Sequence, residues 1–186
     1  MRVIFDAMKR AALAGLLAVG SLMGTTAMAE TVFVHPVGNI PPHLNRLLTT
    51  DIAASTVAEL MMEPLVVQDA DYVPQPLLAT AWEVNADSTE FRFTIRQGVT
   101  FHNGEAMKAS DVAFTLRTYL PLAPQTSLLK DYIEEITAPD DTTVVVRLNR
   151  PFAPFVAALA GIPIVPESVF GDGQDVLTHP ANMAPI

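Results

Sequence analysis

Phe91-Arg92-Phe93-Thr94-Ile95-Arg96 alternates apolar or aromatic residues with polar ones without a break. Successive side chains of a strand point to opposite faces. Phe91, Phe93 and Ile95 are therefore expected on a core and Arg92, Thr94 and Arg96 toward water. Trp82 to Asn85 lies just upstream, across the polar Ala86-Asp87-Ser88-Thr89, and the two runs read as one antiparallel ribbon. Leu65 to Gln68 and Tyr72-Val73, around Asp69-Ala70-Asp71, read as another. Thr143 to Leu148 is a further strand, entered through a turn at Asp140-Asp141 after Pro139.

Helices fill the intervals. Ala53, Val57, Leu60 and Met61 recur at helical spacing and Pro64 bars continuation, which predicts a helix over Asp51 to Met62 capped by Thr50 or Asp51. Ser110 is placed to cap a second helix carrying Val112, Leu116, Tyr119 and Leu120 and ended by Pro121. Pro151 to Ala160 reads as a short helix opening on proline and stopped at Gly161. Ile162 to Val165 follows as extended chain and Pro166 to Phe170 as one helical turn. Thr31 to Val37 is a strand from which a loop runs over Gly38 to about Thr50, because Pro41 and Pro42 remove ladder donors. The fold class is α/β with α+β character and mixed sheets. Leu177 to Ile186 reads as neither a helix nor a polar tail.

Arg2, Lys9 and Arg10 precede an apolar stretch from Ala11 to Gly24, and Ala27-Met28-Ala29 follows. This is the pattern of a secretory leader cleaved after Ala29. The stretch is shorter than the roughly 20 residues of a membrane span, so no stable membrane insertion is expected after processing. The chain carries a net charge of −9, and losing the leader makes it more acidic, which disfavours nucleic acid and anionic membranes as partners. Cysteine is absent. Stability must come from a packed core, and thiol catalysis, thiolate metal sites and a lipid-acceptor cysteine are excluded, so a soluble periplasmic protein is expected. Fifteen prolines and nine glycines are spread along the chain and punctuate short elements.

The motifs offer little covalent chemistry. None of the four histidines has a metal-ligand spacing; His102 with Glu105 is the pair that could ligate a metal, and that pair, or adjacent acids such as Glu134-Glu135 and Asp140-Asp141, is the constellation a secreted hydrolase would use. The Asn103-Gly104 step beside them marks a turn, and His102 reads as a turn or packing residue. Asp172 and Asp175 shape a turn in a glycine-flanked stretch too short and too acidic to hold phosphate. The functional signal is the loop from Gly38 to Thr50, which leaves a strand and feeds a helix N-terminus whose backbone N–H groups suit a polar ligand group. A covering and capping role for Pro41, Pro42, Leu44, Thr49, Thr50 and Asp51 is the alternative.

Leu78-Ala79-Thr80-Ala81-Trp82-Glu83-Val84, the run Phe91 to Val99, Phe101-His102-Asn103-Gly104-Glu105 and Ser110-Asp111-Val112-Ala113-Phe114-Thr115 follow in an order that resembles the peptide-and-nickel class of extracytoplasmic solute-binding proteins. Glu63-Pro64-Leu65, Ala138 to Val145, Arg150-Pro151-Phe152-Ala153-Pro154-Phe155 and Thr178-His179-Pro180-Ala181-Asn182 extend the resemblance over nearly the whole chain after Ala29.

The resemblance implies a type II periplasmic-binding-protein fold, two lobes closing on a ligand, with a small domain inserted in the first lobe. By position, 1–29 is the signal peptide, 30–62 begins lobe one, 63–183 is the inserted domain, and 184–186 begin a return to lobe one. It implies a monomeric receptor of an ABC importer, with permease subunits as partners, no cofactor and no catalysis. Peptides are the commonest cargo, beside nickel chelates, haem, glutathione and oligosaccharides. Thr49, Thr50 and Asp51 are the expected ligand-proximal residues, with Gly38 and Asn39 as further candidates. Relatives continue past the present end through a Gly-Thr-Gly-Pro strand into the remaining lobes, so a truncated, non-transporting remnant or interaction module is the alternative. The start of lobe one, 31–62, is then expected to lack the sheet against which it packs.

Overall fold

The computed structural model describes residues 40–184 apart from Pro42 and Gln125. The expected leader, its cleavage point at Ala29, the strand at Thr31 to Val37, and Gly38 and Asn39 lie outside the described residues.

The alternating stretch is strand β4 (Glu90–Ile95), with Phe91, Phe93 and Ile95 buried and Arg92 and Thr94 exposed. It pairs on one side with β3 (Ala79–Val84), Trp82 opposite Phe93, and on the other with β6 (Thr143–Leu148), Phe93 opposite Val144. β5 (Ile133–Asp140) pairs with β6 and completes a four-stranded sheet in the order β3-β4-β6-β5. Pro139 is tolerated in β5 because that strand is at the sheet edge, where a missing N–H breaks no interior ladder. A hairpin of β1 (Val66–Gln68) and β2 (Pro74–Pro76) stands beside the sheet. Its second strand starts two residues later than Tyr72-Val73: Asp69 accepts hydrogen bonds from the Asp71 and Val73 N–H groups, which keeps both residues in the turn. All these pairings are antiparallel. The described residues are thus α+β, and the mixed sheets expected from the sequence are not found among them, because the pairs β1–β2, β3–β4 and β5–β6 are joined by short turns, which can connect only antiparallel neighbours.

Helix α1 (Ile52–Ala58) ends a full turn before Met62. Its exit tightens through Leu60 N–H to the Val57 carbonyl and Met61 N–H to the Ala58 carbonyl, which swings Leu60 to 79% exposure. Helix α2 (Ala109–Tyr119) lies across β5 and β6 and presents Val112, Leu116 and Tyr119 to the core. Ser110 is not its cap. Lys108 is the N-cap residue, and the Asp111 carboxylate reaches back to the Lys108 N–H at 2.8 Å; a hydroxyl already inside the first turn, as at Ser110, is not in the cap position. The other Asp111 oxygen accepts from the Glu167 N–H at 2.9 Å, so one buried carboxylate ties α2 to α4 (Glu167–Phe170).

Helix α3 (Phe155–Ala158) starts later than Pro151, with Pro154 as its N-cap, and runs into the 3-10 turn Leu159–Gly161. Phe155 packs on Phe91 with ring centroids 4.8 Å apart. The tail also differs from expectation: Pro180–Met183 is a 3-10 helix, because the His179 ring accepts from the Ala181 N–H at its start. The described part of 31–62 is not left unpacked. Leu47 sits in the main core cluster, and Ala53, Ala54 and Ala58 are buried.

Candidate functional site

The loop ahead of α1 is built by side chains that cap backbone. Asn45 caps the 3-10 helix Arg46–Leu48, its Oδ1 accepting from the Leu47 N–H at 3.0 Å. Thr49 ends that helix, its N–H pointing to the Arg46 carbonyl, and its hydroxyl accepts from the Asp51 N–H at 3.0 Å. Asp51 then caps α1 by accepting from the Ala54 N–H at 2.9 Å. Of the two caps the sequence offers, Thr50 and Asp51, the structure takes Asp51. Thr49 and Asp51 are half-buried and Thr50 is exposed.

Thr49, Thr50 and Asp51 are thus contiguous at the surface, with Thr50 the residue most open to a ligand. The geometry changes what this surface can offer. One N–H at the helix start is already satisfied by Asp51, so hydroxyls and a carboxylate are presented where a row of open N–H donors was expected. At the far end of α1 the Arg46 guanidinium pairs with Glu59 at 3.1 Å, bracing the loop against the helix it feeds. Both partners are part-exposed, so the pair serves orientation more than stability.

Behind the loop lies a polar contact that sequence reasoning missed. Asn45 Nδ2 donates to Asn182 Oδ1 at 2.9 Å, both residues buried and 137 positions apart. Leu44 N–H donates to the Asn182 carbonyl at 2.7 Å, and Asn182 Nδ2 donates to the Val176 carbonyl at 2.9 Å. Asn182 is held in turn by the 3-10 turn that His179 caps. The His179 ring is buried, meets Asp172 at 3.4 Å and packs on Phe170 at 5.0 Å. The Tyr119 hydroxyl is buried close by without a hydrogen-bond partner. Burial raises its pKa well above that of a free phenol, and the nearby Asn45 side chain opposes the shift.

His102 and Glu105 do not converge. His102 Nε2 contacts the Met61 carbonyl at 3.0 Å, whereas Glu105 accepts from Ser168 and from Asn103. Those two hydrogen bonds, Ser168 first, hold the Glu105 carboxyl below its ordinary value. Gly104 has φ +86°, the left-handed conformation that a glycine supplies without strain. His102 is therefore a turn residue. Asp172 accepts from the Gln174 N–H and side chain, and Asp175 from the Leu177 N–H, so both shape the turn as expected. Among the described residues no group of three or more His, Asp or Glu side chains could hold a metal ion, and no helix is long and apolar enough to cross a membrane.

Residues 73–185 match the family of bacterial extracellular solute-binding proteins, family 5, in its middle region. Protein XP55 of Streptomyces lividans is 36% identical over 166 residues, covering 88% of this chain and 29% of that protein. The glutathione-binding protein GsiB of Pectobacterium atrosepticum is 28% identical over 174 residues, covering 89% of this chain and 33% of that protein. Among solved structures, the ABC transporter substrate-binding protein CtaP of Listeria monocytogenes superposes with a TM-score of 0.70 at 21% identity, over 80% of this chain and 31% of that one. The chain belongs to the family 5 bacterial extracellular solute-binding proteins. Its fold is that of part of a type II periplasmic binding protein, and it spans about a third of the length of the curated relatives it matches.

Proposed function

We propose that this protein is the substrate-binding component of an ABC importer: it captures a small solute, in the first place a short peptide, in the periplasm and delivers it to membrane permease subunits without covalent chemistry. The family match over 73–185 carries this reading. The peptide preference draws support from the glutathione-binding relative, since glutathione is itself a tripeptide. Export through a leader cleaved after Ala29 and action as a monomer belong to the same reading.

Within it, 30–62 form the start of the ligand-binding lobe, 63–183 the inserted domain, and 184–186 the return to lobe one. Thr49, Thr50 and Asp51 lie against the ligand, and Gly38 and Asn39 are the further candidates for ligand binding. The contiguous surface at Thr49 to Asp51 supports the assignment, because hydroxyls and a carboxylate can meet the ammonium and amide groups of a peptide. Lobe closure on the bound solute would then signal occupancy.

The test is calorimetric titration of the protein encoded by the whole reading frame, lacking 1–29, with glutathione and a set of di- and tripeptides. Saturable one-to-one binding by at least one of them, weakened at least tenfold by Thr50→Ala, is expected. Absence of binding across the set would overturn the peptide reading.

A further inference from the structure

The hydrogen bonds around the candidate loop follow one another, joined by the backbone between them, from near the far end of the described chain. Asn182 receives the Leu44 N–H on its carbonyl and the Asn45 amide on its side chain; Asn45 receives Leu47 N–H; Arg46 receives Thr49 N–H; Thr49 receives Asp51 N–H; Asp51 receives Ala54 N–H. Each link is ordinary. Their succession means that the position of Thr49 to Asp51 is referred, through Asn45, to a side chain 137 positions away.

We infer that Asn182 is a positioning residue for the ligand loop, acting through Asn45. Its own amide is engaged at both ends, Oδ1 to Asn45 and Nδ2 to Val176, which fixes its orientation and with it that of the Asn45 amide. Asn45 can accept from Leu47 N–H only through its oxygen, and donating its nitrogen to Asn182 turns that oxygen toward Leu47. The pair is buried and neutral, so solvent does not substitute for either partner and no charge loosens the geometry. The functional weight of the loop rests on the reading proposed above; the clasp itself is independent of any ligand.

The two variants that separate clasp from cap are Asn45→Asp and Asn182→Ala. Asn45→Asp keeps an oxygen for Leu47 N–H but sets a second oxygen against Asn182 Oδ1. Asn182→Ala removes the acceptor and leaves Asn45 intact. Amide hydrogen exchange of the 186-residue chain, without ligand, is the readout. In both variants exchange at Leu44, Asp51 and Ala54 is expected to rise about tenfold while the Phe91, Phe93 and Val146 amides keep their native rates. The double variant should add little to either single one, as for two ends of a shared contact. Native rates at Asp51 and Ala54 in both single variants would overturn the inference, as would an equal rise at the strand amides, which would mark a general loss of stability. No solute enters this test. A chain that passes it yet binds no peptide condemns the peptide reading alone.

Discussion

Tyr119 and Asp140 show how single polar groups set the stability of this fold. The Tyr119 hydroxyl is buried with no partner, and an unmade buried hydrogen bond costs free energy that a methine does not. Tyr119→Phe should therefore be at least as stable as the native chain, within about 0.5 kcal/mol, in urea titration; a loss above about 1 kcal/mol would show that the hydroxyl is satisfied. Asp140 is the reverse case. Its carboxylate accepts from the Thr142 hydroxyl and the Thr142 N–H at 2.6 and 2.8 Å, and these bonds, the hydroxyl first, lower its pKa below the ordinary 3.8. A depressed carboxylate contributes stability that is present above its unfolded-state value and lost as pH falls through the folded-state value. The urea midpoint should thus fall below about pH 4, and the fall should be smaller in Asp140→Asn; identical acid profiles would refute the assignment.

At the scale of elements, the strongest test is Asp111. One carboxylate accepts from the Lys108 and Glu167 backbone N–H groups and so joins the starts of α2 and α4. Asp111→Ala should cost about 1.5–3 kcal/mol, the range for hydrogen bonds to a charged acceptor, measurable as a drop in Tm; a loss below about 1 kcal/mol would mean that water replaces the carboxylate. The same elements show what the sequence makes legible. β4 was readable because alternation is local and one face is fully buried. Helix α2 was readable from its apolar spacing, but its cap was not, since the N-cap position falls on Lys108, not a capping type, and the carboxylate that meets its N–H comes from Asp111 inside the first turn. Leu60 matched the helical stripe and still lies in water, because α1 ends before reaching it. Asp51 was found because capping is a three-residue relation. The Asn45–Asn182 contact, 137 positions long, carries no periodicity and no motif spacing, and only the fold brings it together.

For the molecule as a whole, α2 lies on the antiparallel sheet, and the loop at Thr49 to Asp51 is tied to the same described body through the contact of Asn45 with Asn182. Stability resides in the packed core between sheet and α2, with no disulfide to assist. Solute recognition in this account is assigned to the loop held on that body, so ligand should change the loop and leave the body alone. The most direct test is hydrogen exchange on the protein of the whole reading frame lacking 1–29, with and without saturating glutathione or whichever di- or tripeptide binds it best. The account predicts slower exchange at Thr50, Asp51 and Ala54 with unchanged rates at Phe91, Phe93 and Val146. Protection confined to the β5–β6 region, or no change at the loop despite saturation, would contradict it.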